Sequence, residues 1–118
     1  MTSEIPIIVV NFTDNFQQRL RSLYKKYRSI RADIQPIIEQ LQIGNFLGDQ
    51  IPGTGYTVFK VRVRNSDIQK GKSSGYRVID QIESPTNVVL LLIYSKLEQT
   101  DVTTDEIRLA IEEFQAST

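Results

Sequence analysis

Val88 to Tyr94 is apolar at seven consecutive positions. Side chains in a strand alternate between two faces, so a strand without a polar position has to be buried on both. Seven residues are also far too few to cross a bilayer. The segment is therefore expected to be the central strand of a sheet, with paired neighbours and apolar cover.

The flanking pattern supplies candidates for both. Ile5 to Asn11 reads as a first strand, rich in β-branched residues, with Pro6 at its start. Thr13 is placed as an N-cap, and Phe16, Leu20, Leu23 and Tyr27 follow at helical spacing. A second helix is expected from about Ser29 or Asp33 to Leu41, with Pro36 fitting best in the first turn after an Asp33 cap. Gly44 to Gly55 reads as a turn-rich connection. Tyr56 to Arg64 alternates, and Tyr76 to Glu83 is another strand. Ser84-Pro85-Thr86-Asn87 is a hairpin turn, and Thr103 to Glu106 matches a capping box before Ile107, Ala110, Ile111 and Phe114. The order is strand, αα-hairpin, three-stranded antiparallel meander, helix. This predicts one α+β domain over residues 1–118, with the first strand joining the meander and the helices on one face.

Composition narrows the chemistry. The chain has no cysteine and no histidine, so disulfides, thiolate metal sites, Cys nucleophiles and His-dependent triads are excluded. No signal peptide is visible at the start: Ile5 to Val10 is short and follows Glu4 rather than a basic stretch. Net charge is zero, yet the charges are sorted along the chain. Residues 15–32 carry six bases and no acid, and residues 60–77 carry six bases against Asp67 alone. After Arg77 there are eight acids and two bases. That asymmetry points to a charged partner.

The candidate chemistry sits in the basic half. Lys60, Arg62 and Arg64 alternate with Phe59, Val61 and Val63, so three bases share one sheet face. Arg77 joins them if the next strand pairs in the right register. An anionic partner and a merely solvated face both read this spacing. Lys70-Gly71-Lys72-Ser73-Ser74-Gly75 lacks the Walker spacing and reads as a flexible basic loop, not a phosphate-binding P-loop. Tyr94, Lys96 and Glu98 alternate at the end of the central strand. They offer a phenol or carboxylate for proton transfer, or a rim tyrosine beside a surface ion pair. The bases from Arg19 to Arg31 read as a solvated helical face.

Several segments, taken in order, resemble the RelE/HigB toxins of type II toxin–antitoxin pairs. They are Phe59-Lys60-Val61-Arg62-Val63-Arg64, Gly71-Lys72-Ser73-Ser74-Gly75-Tyr76-Arg77-Val78-Ile79, and Ile93-Tyr94-Ser95-Lys96 with Glu98. Gly48-Asp49-Gln50-Ile51-Pro52-Gly53, Asp101-Val102-Thr103 and Glu106-Ile107-Arg108 also resemble one branch of the family. The resemblance spans nearly the whole chain. It implies a microbial RNase fold and a cytoplasmic endoribonuclease that cuts mRNA in the ribosomal A site without metal or cofactor. It places Arg77 at the scissile phosphate and Lys60, Arg62 and Arg64 on the strand that faces the mRNA; Lys60 and Arg62 are then expected to stabilise the phosphate charge with Arg77, and Tyr94 or Glu98 is the expected proton-transfer group. It matches Lys96 to a base at the end of the last strand, and Arg64, Lys70, Lys72 and Lys96 are expected to bind RNA. Two other readings use the same fold: a ParE-like gyrase inhibitor, and an antitoxin-binding module whose active site has decayed.

The resemblance also implies a cognate antitoxin. A basic sheet face calls for a partner with an acidic, amphipathic segment that folds on binding. Co-expression with the neighbouring reading frame is expected to yield a co-eluting, acidic partner; a basic product, or failure to co-elute, would remove this expectation.

Overall fold

The computed structural model describes residues 7–68 and 75–117. Its elements run β1 (Val9–Phe12), α1 (Asp14–Lys26), α2 (Ile30–Gln42), β2 (Asp49–Gln50), β3 (Val58–Val63), β4 (Tyr76–Ser84), β5 (Asn87–Ser95) and α3 (Thr104–Ala116). The strands form one sheet in the order β1-β5-β4-β3-β2. β5 lies inside it, parallel to β1 and antiparallel to β4, and every residue from Val88 to Ser95 is buried. The meander β3-β4-β5 and a first strand beside it are as the sequence predicts, but that strand runs Val9–Phe12 rather than Ile5 to Asn11, and Ile5 and Pro6 lie outside the described residues. The two-residue β2, which pairs Asp49 with Lys60, is an addition.

Both faces of β5 are covered, by different helices. Val61, Val63, Tyr76, Val78, Val88, Leu90 and Ile93 pack under Phe16, Leu20, Leu23, Ile30, Ile34 and Leu41 from α1 and α2. Val58, Ile79, Val89, Leu91, Leu92 and Tyr94 pack under Ile107, Ala110 and Ile111 from α3. The expectation that all helices lie on one face is thus corrected. A wholly apolar strand would otherwise expose half its side chains, at roughly 1.5–3 kcal/mol for each large aliphatic group.

A β-bulge sharpens this division. Asp80 pairs with Leu90 and Ile79 with Leu92, which leaves Leu91 with no opposite residue. Two consecutive leucines therefore point toward α3. The carbonyl freed at Leu91 accepts the Thr13 hydroxyl at 2.7 Å. Thr13 Oγ1 itself accepts the Phe16 N–H at 2.9 Å, so Thr13 caps α1 as the sequence predicts and also ties it to the bulge.

The second helix departs from expectation. It starts at Ile30, and Pro36 lies inside it rather than in its first turn. The carbonyl left free is that of Ala32, which is exposed, so water can serve it. Asp33 does not cap the helix; its carboxylate accepts the Ser66 N–H at 3.0 Å. Asp67 in turn accepts the Ser29 N–H at 2.8 Å and the Ser29 hydroxyl at 2.9 Å. The two acids fasten the start of α2 to the chain leaving β3. Glycine at position 75 is required by close approach, since a Cβ there would lie 2.2 Å from the Val63 carbonyl oxygen.

One buried group is out of keeping with its surroundings. Asp80 is fully buried on the α1/α2 side, beside Phe59 and Leu90, and neither carboxylate oxygen has a hydrogen-bond partner among the described residues. Burial pushes its carboxyl up to about 7. The folded state therefore favours the neutral acid. Its contribution is fully present below the ordinary carboxylate range and is lost as pH rises through about 7. The Asp80→Asn protein is expected to lose less stability than the native chain between pH 4 and pH 8, by a difference on the order of a few kcal/mol. Urea midpoints across that range measure it, and parallel curves for the two proteins would refute it.

Candidate nucleic-acid interface

The sheet face under α3 is covered at one end only. At the other, the register brings the basic residues together: Arg62 of β3 is the direct partner of Arg77 of β4, and Arg77 is the direct partner of Tyr94 of β5. Lys60 lies two residues back along β3 on the same face. Arg64 lies one residue beyond the end of β3 and is exposed, as is Arg62.

Arg77 sits at the centre of this row and is only 7% exposed. Its Nη1 donates to the Tyr76 carbonyl at 3.0 Å. Among the described residues no carboxylate forms an ion pair with it, or with Arg62 or Arg64. A buried cation without a counter-ion is costly, and an arriving phosphate would relieve that cost.

Tyr94 is buried beside it, and its hydroxyl donates to Asp101 Oδ1 at 3.4 Å. Burial above all, then the Asp101 charge and this hydrogen bond, push the phenol up to about 12, with Arg77 opposing. Tyr94 is therefore protonated at neutral pH, a proton donor rather than a base. Lys60 Nζ reaches the same Asp101 oxygen at 3.2 Å. The Val102 N–H above all holds the Asp101 carboxyl below its usual range; burial opposes it, and Lys60 and then Tyr94 add smaller effects in the lowering direction.

Not every expected residue joins this group. Lys96 Nζ donates to the Thr100 carbonyl at 2.7 Å and braces the loop after β5. Glu98 turns to the other side of the sheet, where it pairs with Lys26 of α1 at 2.6 Å. It lines a groove of about 440 Å³ between α1 and the exit of β5, with Arg19, Ser22 and Gln99. Lys70 and Lys72 lie outside the described residues. The bases of α1 and α2 are also on the far face; Arg28 and Arg31 stack on Tyr24 with guanidinium carbons 5.0 and 5.5 Å from the ring centre.

Asp101 is the member that strand alternation misses. β5 ends at Ser95, so a two-residue period cannot be carried on to Glu98, and the acid that does reach the site comes from the loop. The available signal was its position two residues before the Thr103 cap, which fixes it beside the sheet. That cap is formed as expected, with Thr103 Oγ1 accepting the Glu106 N–H at 3.1 Å.

No protein-family model matches the sequence, and no curated protein matches it by sequence similarity. In structure the chain is similar to a free-state mutant of the E. coli toxin RelE, with two arginines changed to alanine. The TM-score is 0.56 at 15% identity, over 91% of this chain and 97% of that one. The chain thus has the RelE-like α+β fold. No helix among the described residues is long and apolar enough to cross a membrane.

If this face takes single-stranded RNA, Lys60→Ala, Arg62→Ala and Arg64→Ala should each weaken binding and reduce the slope of log K against log salt by about 0.7. Oligonucleotide titrations at several salt concentrations measure this; three unchanged slopes would mark the face as merely solvated.

Proposed function

We propose that this chain is the toxin of a toxin–antitoxin pair, a ribosome-dependent endoribonuclease that cuts mRNA and is neutralised by a cognate antitoxin. The observation that carries the reading is the buried Arg77 guanidinium with no carboxylate partner among the described residues, set between Arg62 and Tyr94 on the open end of the sheet. The RelE-like fold supports it.

In this reading the ribose 2′-oxygen attacks the adjacent phosphorus and the bond to the 5′-oxygen breaks. The products are a 2′,3′-cyclic phosphate and a 5′-hydroxyl end. Negative charge grows on the nonbridging oxygens, where Arg77, Arg62 and Lys60 donate charge-assisted hydrogen bonds. The 5′-oxygen takes a proton from Tyr94, which burial keeps protonated at neutral pH. The 2′-hydroxyl proton passes to water. Glu98, already paired with Lys26, is the weaker proton-transfer candidate. The ribosome holds the mRNA in line for attack, a positioning effect that lowers the barrier substantially. Arg64 extends the binding surface along the RNA; Lys70 and Lys72, also read as RNA contacts, lie outside the described residues.

Cleavage mapping on translating ribosomes tests this directly. The native chain should cut mRNA at the A site, and Arg77→Ala should slow the cut by about 10²–10³ while leaving the fold intact. Intact mRNA with the native protein, or full activity in folded Arg77→Ala, would exclude the proposal. A DNA supercoiling assay on the same preparation reports the gyrase-inhibitor alternative.

A further inference from the structure

The face that gathers Lys60, Arg62 and Arg77 also holds the Asp101 carboxylate, and it is held tightly. Asp101 Oδ1 accepts three bonds: the Val102 N–H at 2.8 Å, Lys60 Nζ at 3.2 Å and Tyr94 Oη at 3.4 Å. These donors come from a loop, from β3 and from β5, so the carboxylate joins elements that do not pair with one another. The loop carrying it is braced on either side. Lys96 Nζ donates to the Thr100 carbonyl at 2.7 Å and Gln99 Nε2 to the Asp101 carbonyl at 2.9 Å. The Asp101 side chain is nonetheless 62% exposed, so the arrangement does not follow from burial.

We propose that Asp101 is a positioning residue of the cleavage site, holding the Lys60 ammonium and the Tyr94 hydroxyl at a fixed spacing beside Arg77. The inference rests on the endoribonuclease reading. Without the carboxylate, the Lys60 side chain is free to swing toward solvent, and the Tyr94 hydroxyl loses the acceptor that fixes its direction. Losing an ångström of placement in such a site costs rate rather than binding. Removing a negative charge from a cationic face should, if anything, strengthen the hold on RNA. The two effects are opposite in sign, which a general loosening of the fold cannot produce.

The charges acting on Tyr94 are Asp101 from the loop and Arg77 from β4, and α3 contributes the apolar Ile107, Ala110 and Ile111 to the shared cluster. Asp101 holds the Tyr94 proton on and Arg77 pulls the other way, so loss of the carboxylate leaves burial and Arg77 in control. The Tyr94 midpoint should then move to lower pH.

The test compares Asp101→Asn, which keeps shape and removes charge, with Asp101→Ala. Single-turnover cleavage on programmed ribosomes at saturating protein should slow on the order of 10- to 100-fold in both, with ribosome affinity unchanged or tighter. NMR of the Tyr94 ring through alkaline pH, on the isolated protein, should show the lowered midpoint without any RNA present. Unchanged cleavage in either folded variant overturns the inference, as does loss of rate and affinity together. Loss of fold in both variants overturns it as well, since Asp101 would then be a structural residue. If the native protein leaves mRNA intact while the Tyr94 midpoint still falls, the endoribonuclease reading fails but the coupling of Asp101 to Tyr94 stands.

Discussion

The fold depends on burying β5 from both sides. Its apolar run cannot tolerate water on either face, so the sheet has to be sandwiched. The αα-hairpin covers one face and α3 the other. The bulge at Leu91 serves this end by turning two neighbouring leucines to the α3 side. Thr13 then supplies the hydrogen bond that the bulge leaves open, and in doing so sets where α1 begins. A single threonine thus links the first strand, the first helix and the central strand.

The covering by α3 is incomplete, and the uncovered remainder is where the chemistry lies. A helix of thirteen residues reaches across only part of the sheet. The lysine and arginines of β3 and β4 occupy the open end, next to Tyr94 at the end of β5. Arg62 and Arg64 are exposed and Lys60 is half-buried, while Arg77 is sunk among its neighbours without an ion-pair partner among the described residues. A site of that kind is preorganised for an anion: the donors are in place before it arrives, and the cost of assembling like charges is met in folding.

Electrostatics are sorted by element rather than by total. The chain is neutral, yet its two basic surfaces lie on opposite sides of the sheet. The acids of the last third are not evenly spread around them. Glu98 goes to Lys26 on the α1 side, Asp101 goes to Lys60 on the α3 side, and Asp105 pairs with Arg108 within α3. Of these three acids Asp101 enters the cationic row, and its placement follows from the loop that leads into the Thr103 cap.

Local pattern determined a good deal by itself. The unbroken apolar run of residues 88–94, the alternation around Lys60, Arg62 and Arg64, and the caps at Thr13 and Thr103 all depend on near neighbours in the chain. They were legible because period, propensity and capping act over a few residues. What only the tertiary structure decided depends on which distant groups meet. α3 crossed to the second face because the buried strand needed cover there, although helix periodicity gives no sign of which layer a helix joins. Asp33 and Asp67 exchanged backbone partners across the start of α2 instead of serving locally. Asp80 follows the alternation of β4 onto the α1/α2 side, where neither carboxylate oxygen meets a hydrogen-bond partner among the described residues, a matter of which distant groups pack there. Glu98 and Asp101 lie three residues apart, and either could have been the acid beside Tyr94. The loop that rounds the end of the sheet sent one to each side, and the path of a loop is set by the elements it must join.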